Sequence, residues 1–192
     1  MTRTPKRLEL AGLLIALIGI VLALWGGRAI SAQDKYTVQV PGGLAFSEFR
    51  GYEDWQTVAV SKTEAVINVI LANPVAIDAY RAGVPGNGKP FPDGSKMAKI
   101  HWTPKKSMEA PDPTTVVPDT LYAVGFMEKD SKRFADSGGW GWAEFKYDAA
   151  SDTFRPYTLA DNPPQGNDAK CGFACHTIVK AKDYVFTAYP KR

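Results

Sequence analysis

The apolar and polar positions divide the chain sharply after its first thirty-odd residues. From Leu10 to Gly27 the sequence carries no charge, and this run of 18 residues is apolar on every helical face. Such a run sits at the lower edge of a membrane span and exceeds the usual core of a signal peptide. Arg3, Lys6 and Arg7 precede it, which holds the N-terminus in the cytoplasm and sends the chain from about Gln33 onward across the membrane. Ala29-Ile30-Ser31 and the bond after Ala32 both read as small-residue cleavage sites. Residues 1–32 are therefore expected to be either a cleaved signal peptide or a retained membrane anchor. Both fates place residues 33–192 in the periplasm as one exported domain, free or tethered.

Beyond the leader, short apolar segments alternate with turn signals. "WQTVAVS" (55–61) and "EAVINVILA" (64–72) are rich in β-branched residues and predict strands. Asn73-Pro74 then reads as an N-cap followed by proline at the first helical position, opening a helix that ends at Gly83. A loop dense in Gly and Pro (84–94) leads to "SKMAKIHW" (95–102), a strand with period-two alternation. That alternation places Met97, Lys99 and His101 on one face and Ala98, Ile100 and Trp102 on the other. "TPKKSMEAPDPTTVVPDT" (103–120) reads as a long Pro-rich loop. "LYAVGFME", a helical turn in "KDSKRFADSGG", "WGWAEFKYD" and "TFRPY" follow, then a polar loop (161–170), and "DYVFTAY" (183–189) as a closing strand. The expected fold is α+β: a mainly antiparallel β-sheet with a few helices packed on it, preceded by the apolar leader.

Composition narrows the function. A chain of 192 residues, 45% apolar and 22% charged, supports one domain with a real core. The net charge of +3 arises in the leader, and the chain from Gln33 on carries 19 basic and 19 acidic residues. No basic patch argues for nucleic acid.

The chemistry concentrates near the C-terminus, in "KCGFACHTIVKAKDYVFT". Cys171 and Cys175 are the only two cysteines, and His176 follows the second. Two thiols and then a histidine is the order that attaches c-type haem, whose usual spacing is C-x-x-C-H. Here the spacing is C-x-x-x-C-H. Cys175-His176 keeps its geometry on one helical turn, and the added residue lengthens only the first arm. A local bulge at Gly172, where φ is free, would absorb it. A Cys171–Cys175 disulfide is the alternative, since residues i and i+4 of a helix have Cα atoms roughly 6 Å apart. Thioether attachment and the disulfide both require export, so export does not choose between them.

Three separated segments carry a resemblance. "ACHTIVKAKDYVFTAYP", "KDSKRFADSGGWGWAEF" and "FPDGSKMAKIHW" resemble, in order, segments of the cytochrome P-460 family, over roughly residue 42 to the end. The family includes proteins that oxidise hydroxylamine and others that bind small gases such as nitric oxide. The resemblance implies an antiparallel-sheet homodimer holding a covalent haem c whose iron has a vacant distal side. It also implies a small-molecule substrate or gas ligand and a redox partner protein.

Residue by residue, Cys175 and His176 match the second thioether and the proximal iron ligand. The family's first cysteine falls at Gly172, and Cys171 beside it is the available thiol. Lys99 falls on the lysine that cross-links to the porphyrin edge in the hydroxylamine-oxidising members. His101, the only other histidine, is then a pocket-lining residue on the Lys99 face. Glu144 is the candidate distal carboxylate that takes protons from the substrate. Met97, Met108 and Met127 read as core filler rather than ligands. Trp140, Trp142 and Phe145 read as core or haem-wall packing. A gas-binding or electron-transfer cytochrome without turnover, and a haem-free exported domain with the disulfide, remain the competing readings.

Overall fold

The computed structural model describes residues 33–40, 43–157 and 172–191. The expected leader, the polar loop 161–170 and Cys171 lie outside the described residues. Among those described, no helix is long and apolar enough to cross a membrane.

Six strands form one antiparallel meander: β1 (Gln56–Lys62), β2 (Ile67–Ala72), β3 (Lys96–Lys106), β4 (Val116–Lys129), β5 (Trp140–Asp148) and β6 (Thr153–Pro156). The α+β class expected from the sequence is the class observed. Alternation along the central strands splits the core into two layers. Leu71, Ala98, Phe126 and Ala143 face one side, where Val40 and Leu44 and, from the 3-10 turn that follows, Phe46 and Phe49 cover them. Phe46 sits at the centre of that layer, with its ring 5.1 Å from Phe126 and 5.0 Å from both Phe145 and Phe154.

Ile70, Met97, Met127 and Trp142 face the other side, beneath the helix α1 (Pro74–Arg81) and Val185 of the C-terminal segment. The start of α1 is built as its sequence predicts. The Asn73 side chain accepts from the Ala76 amide at 3.1 Å, a cap worth about 1 kcal/mol, and from the Lys96 amide at 3.0 Å. One side chain thus fixes both the helix start and the first residue of β3. Gly83, at φ +89°, ends the helix.

Two expectations are corrected. The Pro-rich stretch 103–120 is not mainly loop: β3 runs on to Lys106 and β4 begins at Val116, leaving only 107–115 between them. Pro104 lies opposite Pro118 next to a register shift in the ladder, where two residues lacking N–H groups interrupt little pairing. The stretch 183–189 is not a strand. Asp183 and Tyr184 take positive φ (49° and 62°), and residues 185–190 have no regular structure. The Asp183 carboxylate accepts from the Phe91 amide at 2.7 Å and from Lys129 Nζ at 2.7 Å, which commits the segment to a turn against distant parts of the chain.

Candidate functional site

The sequence Phe173–His176 forms one helical turn, α2, closed by the His176 amide donating to the Gly172 carbonyl at 3.0 Å. Gly172 permits this by its size rather than its φ, which is an ordinary −86°. A Cβ on it would fall far inside contact distance of Trp142 Cβ and Cγ. The backbone before Cys175 therefore rests directly on the Trp142 side chain. The expectation that free φ at Gly172 matters is corrected to close approach.

His176 is held from several sides. Its ring lies 5.4 Å from that of Trp142 and 5.0 Å, edge to face, from that of Phe186. Its Nδ1 lies 2.6 Å from the Tyr184 carbonyl oxygen. A carbonyl only accepts, so Nδ1 carries the proton and Nε2 keeps its lone pair. Burial lowers the pKa of His176, which favours the neutral, ligating form. Cys175, one residue earlier, is exposed and its thiol is free.

The sheet supplies the rest of the site. Ile70, Lys99, Gly125 and Glu144 pair in one row across β2, β3, β4 and β5. Gly125 leaves that row without a side chain between Lys99 and Glu144, and the imidazole of His101 lies over the gap. Its Nε2 would be 3.7 Å from a Cβ at Gly125 and is 3.8 Å from Glu144 Oε1. Burial, then the charge of Lys99, lowers the pKa of His101 from 6.5 to about 4, so it is neutral at physiological pH. Burial raises the pKa of Glu144, and Lys99 opposes that rise. The charge of Lys99 is thus felt by His101, Glu144 and His176 alike.

Five of the six residues singled out from the sequence line one cavity of about 400 Å³: Lys99, His101, Glu144, Cys175 and His176. The sixth, Cys171, lies outside the described residues. Met97, Met127 and Trp142 form its apolar walls. Met108 is 94% exposed in the β3–β4 loop, so it is neither core nor ligand. Trp140 is fully buried core, and Phe145 lies in the opposite layer of the sheet, away from the cavity. Sequence reasoning missed Gly125, Phe186 and the Tyr184 carbonyl. A glycine inside the strand pattern "YAVGFM" was the available signal for the first. A backbone acceptor leaves no signature in the sequence.

The donors fit a haem. A neutral imidazole with Nε2 unprotonated would hold the iron, and a free thiol one residue away would hold the porphyrin edge. The surrounding walls are apolar, as a macrocycle requires.

Comparison with curated proteins finds no match. The family model described as Cytochrome P460 matches residues 49–187, which span the described sheet and the Cys175-His176 turn. The chain belongs to the cytochrome P460 family and is a haem protein of that family.

Proposed function

We propose that the protein is an exported c-type haem protein with an open distal position, which binds hydroxylamine or nitric oxide and oxidises hydroxylamine. The observation that carries this reading is the meeting, in one apolar-walled cavity, of a carbonyl-oriented histidine and free thiol with a lysine, a neutral histidine and a carboxylate. Cys175, with Cys171 supplying the longer arm, is assigned to thioether attachment, and His176 Nε2 to the iron. When bound, the haem supplies the redox chemistry, and a redox partner protein takes the electrons.

The chain's own residues do the rest. Met97, Met127 and Trp142 give the cavity apolar walls, and Phe186 lies at its edge against His176. Glu144 receives protons at its carboxylate, whose proton affinity burial raises. His101 stands 3.8 Å from that carboxylate as a neutral imidazole lining the same cavity. Lys99 is assigned the covalent bond to the porphyrin edge. The periplasmic location, through a cleaved signal or a retained anchor, and a homodimeric assembly complete the proposal.

Digestion of the haem-loaded protein tests the enzymatic reading. A haem peptide joining the Lys99 segment to the Cys175 segment supports it, as does loss of hydroxylamine oxidation in Lys99→Ala. A haem peptide holding only the cysteine segment would leave a gas-binding cytochrome without turnover.

A further inference from the structure

The buried pair Lys129–Asp183 stands outside the cavity, and the function proposed above makes no use of it. Lys129 is the last residue of β4, and its side chain is 6% exposed, that of Asp183 12%. Nζ donates to Asp183 Oδ1 at 2.7 Å and to the Gly138 carbonyl at 2.8 Å. The other carboxylate oxygen, Oδ2, accepts from the Phe91 amide at 2.7 Å. Both partners are therefore well hydrogen-bonded, as a buried ion pair requires.

The placement of the pair is informative. Asp183 immediately precedes Tyr184, whose carbonyl binds His176 Nδ1. Both residues sit at positive φ, a conformation that an aspartate adopts readily and that Tyr184 holds only where its surroundings enforce it. The Tyr184 ring is confined as well. It stacks on Phe173 at 5.9 Å, and its edge fills the space that any side chain at Gly138 would need. Lys129 binds the Gly138 carbonyl, so one ammonium group joins the turn at 183 to the glycine that makes room for Tyr184.

We propose that Lys129 and Asp183 are positioning residues for the iron ligand, clamping the Tyr184 carbonyl where it fixes the tautomer and orientation of His176. This rests on the reading of His176 as the proximal ligand. Partners that hold the far nitrogen of a ligating histidine raise its basicity and tune the metal. The pair would thus set the strength of the axial bond from outside the haem pocket.

The test uses the haem-loaded protein. Each single neutralisation strands a buried charge, so the informative variant is the double one, Lys129→Met with Asp183→Asn. It removes both charges at similar volume, and the asparagine still accepts from Phe91 and tolerates positive φ. Thermal melting checks that it folds, and Lys129→Arg, which keeps the charge but moves its donors, is the second variant. The readouts are the ferrous iron–histidine stretching band in resonance Raman and the reduction potential.

Both variants should fold, with the band shifted to lower frequency and the potential raised, more in the double variant than in Lys129→Arg. A merely structural pair would lower the melting temperature and leave both readouts in place. Folded variants with unchanged band and potential would overturn the inference. His176→Ala serves as control. If its ferrous spectrum matched the wild type, the ligand assignment itself would fail and take this inference with it.

Discussion

His176 Nδ1 and the Tyr184 carbonyl oxygen stand 2.6 Å apart, joined across a turn of eight residues. This contact decides which ring nitrogen can bind iron, because the carbonyl can only accept. It predicts that His176→Ala abolishes the axial bond without detaching the haem, since the thioether proposed at Cys175 would not depend on it. Ferric and ferrous absorption spectra check this, and a variant spectrum unchanged in both states would remove His176 as the ligand.

The contact of Gly172 with Trp142 predicts an intolerant position. A methyl group there must displace either the indole or the α2 turn, an overpacking cost of about 1–3 kcal/mol. Gly172→Ala should lower stability in urea unfolding by that order and reduce haem incorporation per chain. A variant with wild-type stability and loading would show that the turn does not rest on Trp142.

Gly125 predicts the opposite behaviour for a small substitution. A Cβ there meets His101 Nε2 at an ordinary 3.7 Å, so Gly125→Ala should be nearly neutral for folding. Gly125→Leu would fill the gap between Lys99 and Glu144 and drive the imidazole off it. Binding of a small ligand such as nitric oxide to the haem-loaded protein should then weaken at least tenfold in the Leu variant and little in the Ala variant. Equal affinities in the two would contradict the placement of His101.

The pKa of His101 fixes a sign for stability against pH. Its folded value, about 4, lies below the ordinary 6.5. Between those values the unfolded chain binds a proton that the folded one does not. Stability from this group is therefore complete above pH 6.5 and is lost as pH falls to about 4. Discounted for partial solvent screening, the loss is about 2 kcal/mol. Glu144, whose folded pKa is raised, acts with opposite sign, losing stability as pH rises through that value. Urea unfolding at pH 7 and pH 4 should show a smaller acid loss in His101→Gln than in the wild type. An equal loss in both would mean that His101 is solvated.

Much of the site was legible because it follows local rules. Strand alternation put Lys99 and His101 on one face, and both line the cavity. The same rule separates Trp142 and Glu144 from Ala143 and Phe145, which places Phe145 in the opposite layer. Asn73-Pro74 and Gly83 marked a helix that is there. What stayed illegible depends on distant partners. "DYVFTAY" has the residues of a strand, yet Phe91 and Lys129 capture Asp183 and turn the chain. Pro104 and Pro118 each argue for loop, and only their opposition across the ladder lets the hairpin continue. Gly172 and Gly125 are visible as glycines, but the side chains that need their space lie on other elements.

Covalent haem attachment is tested by a pyridine haemochrome spectrum after acid-acetone extraction, on protein expressed with cytochrome c maturation. Haem is expected to stay with the wild-type polypeptide and to extract freely only from the double variant Cys171→Ala with Cys175→Ala. Haem that extracts freely from the wild-type protein, or a protein that takes up none, would contradict covalent attachment.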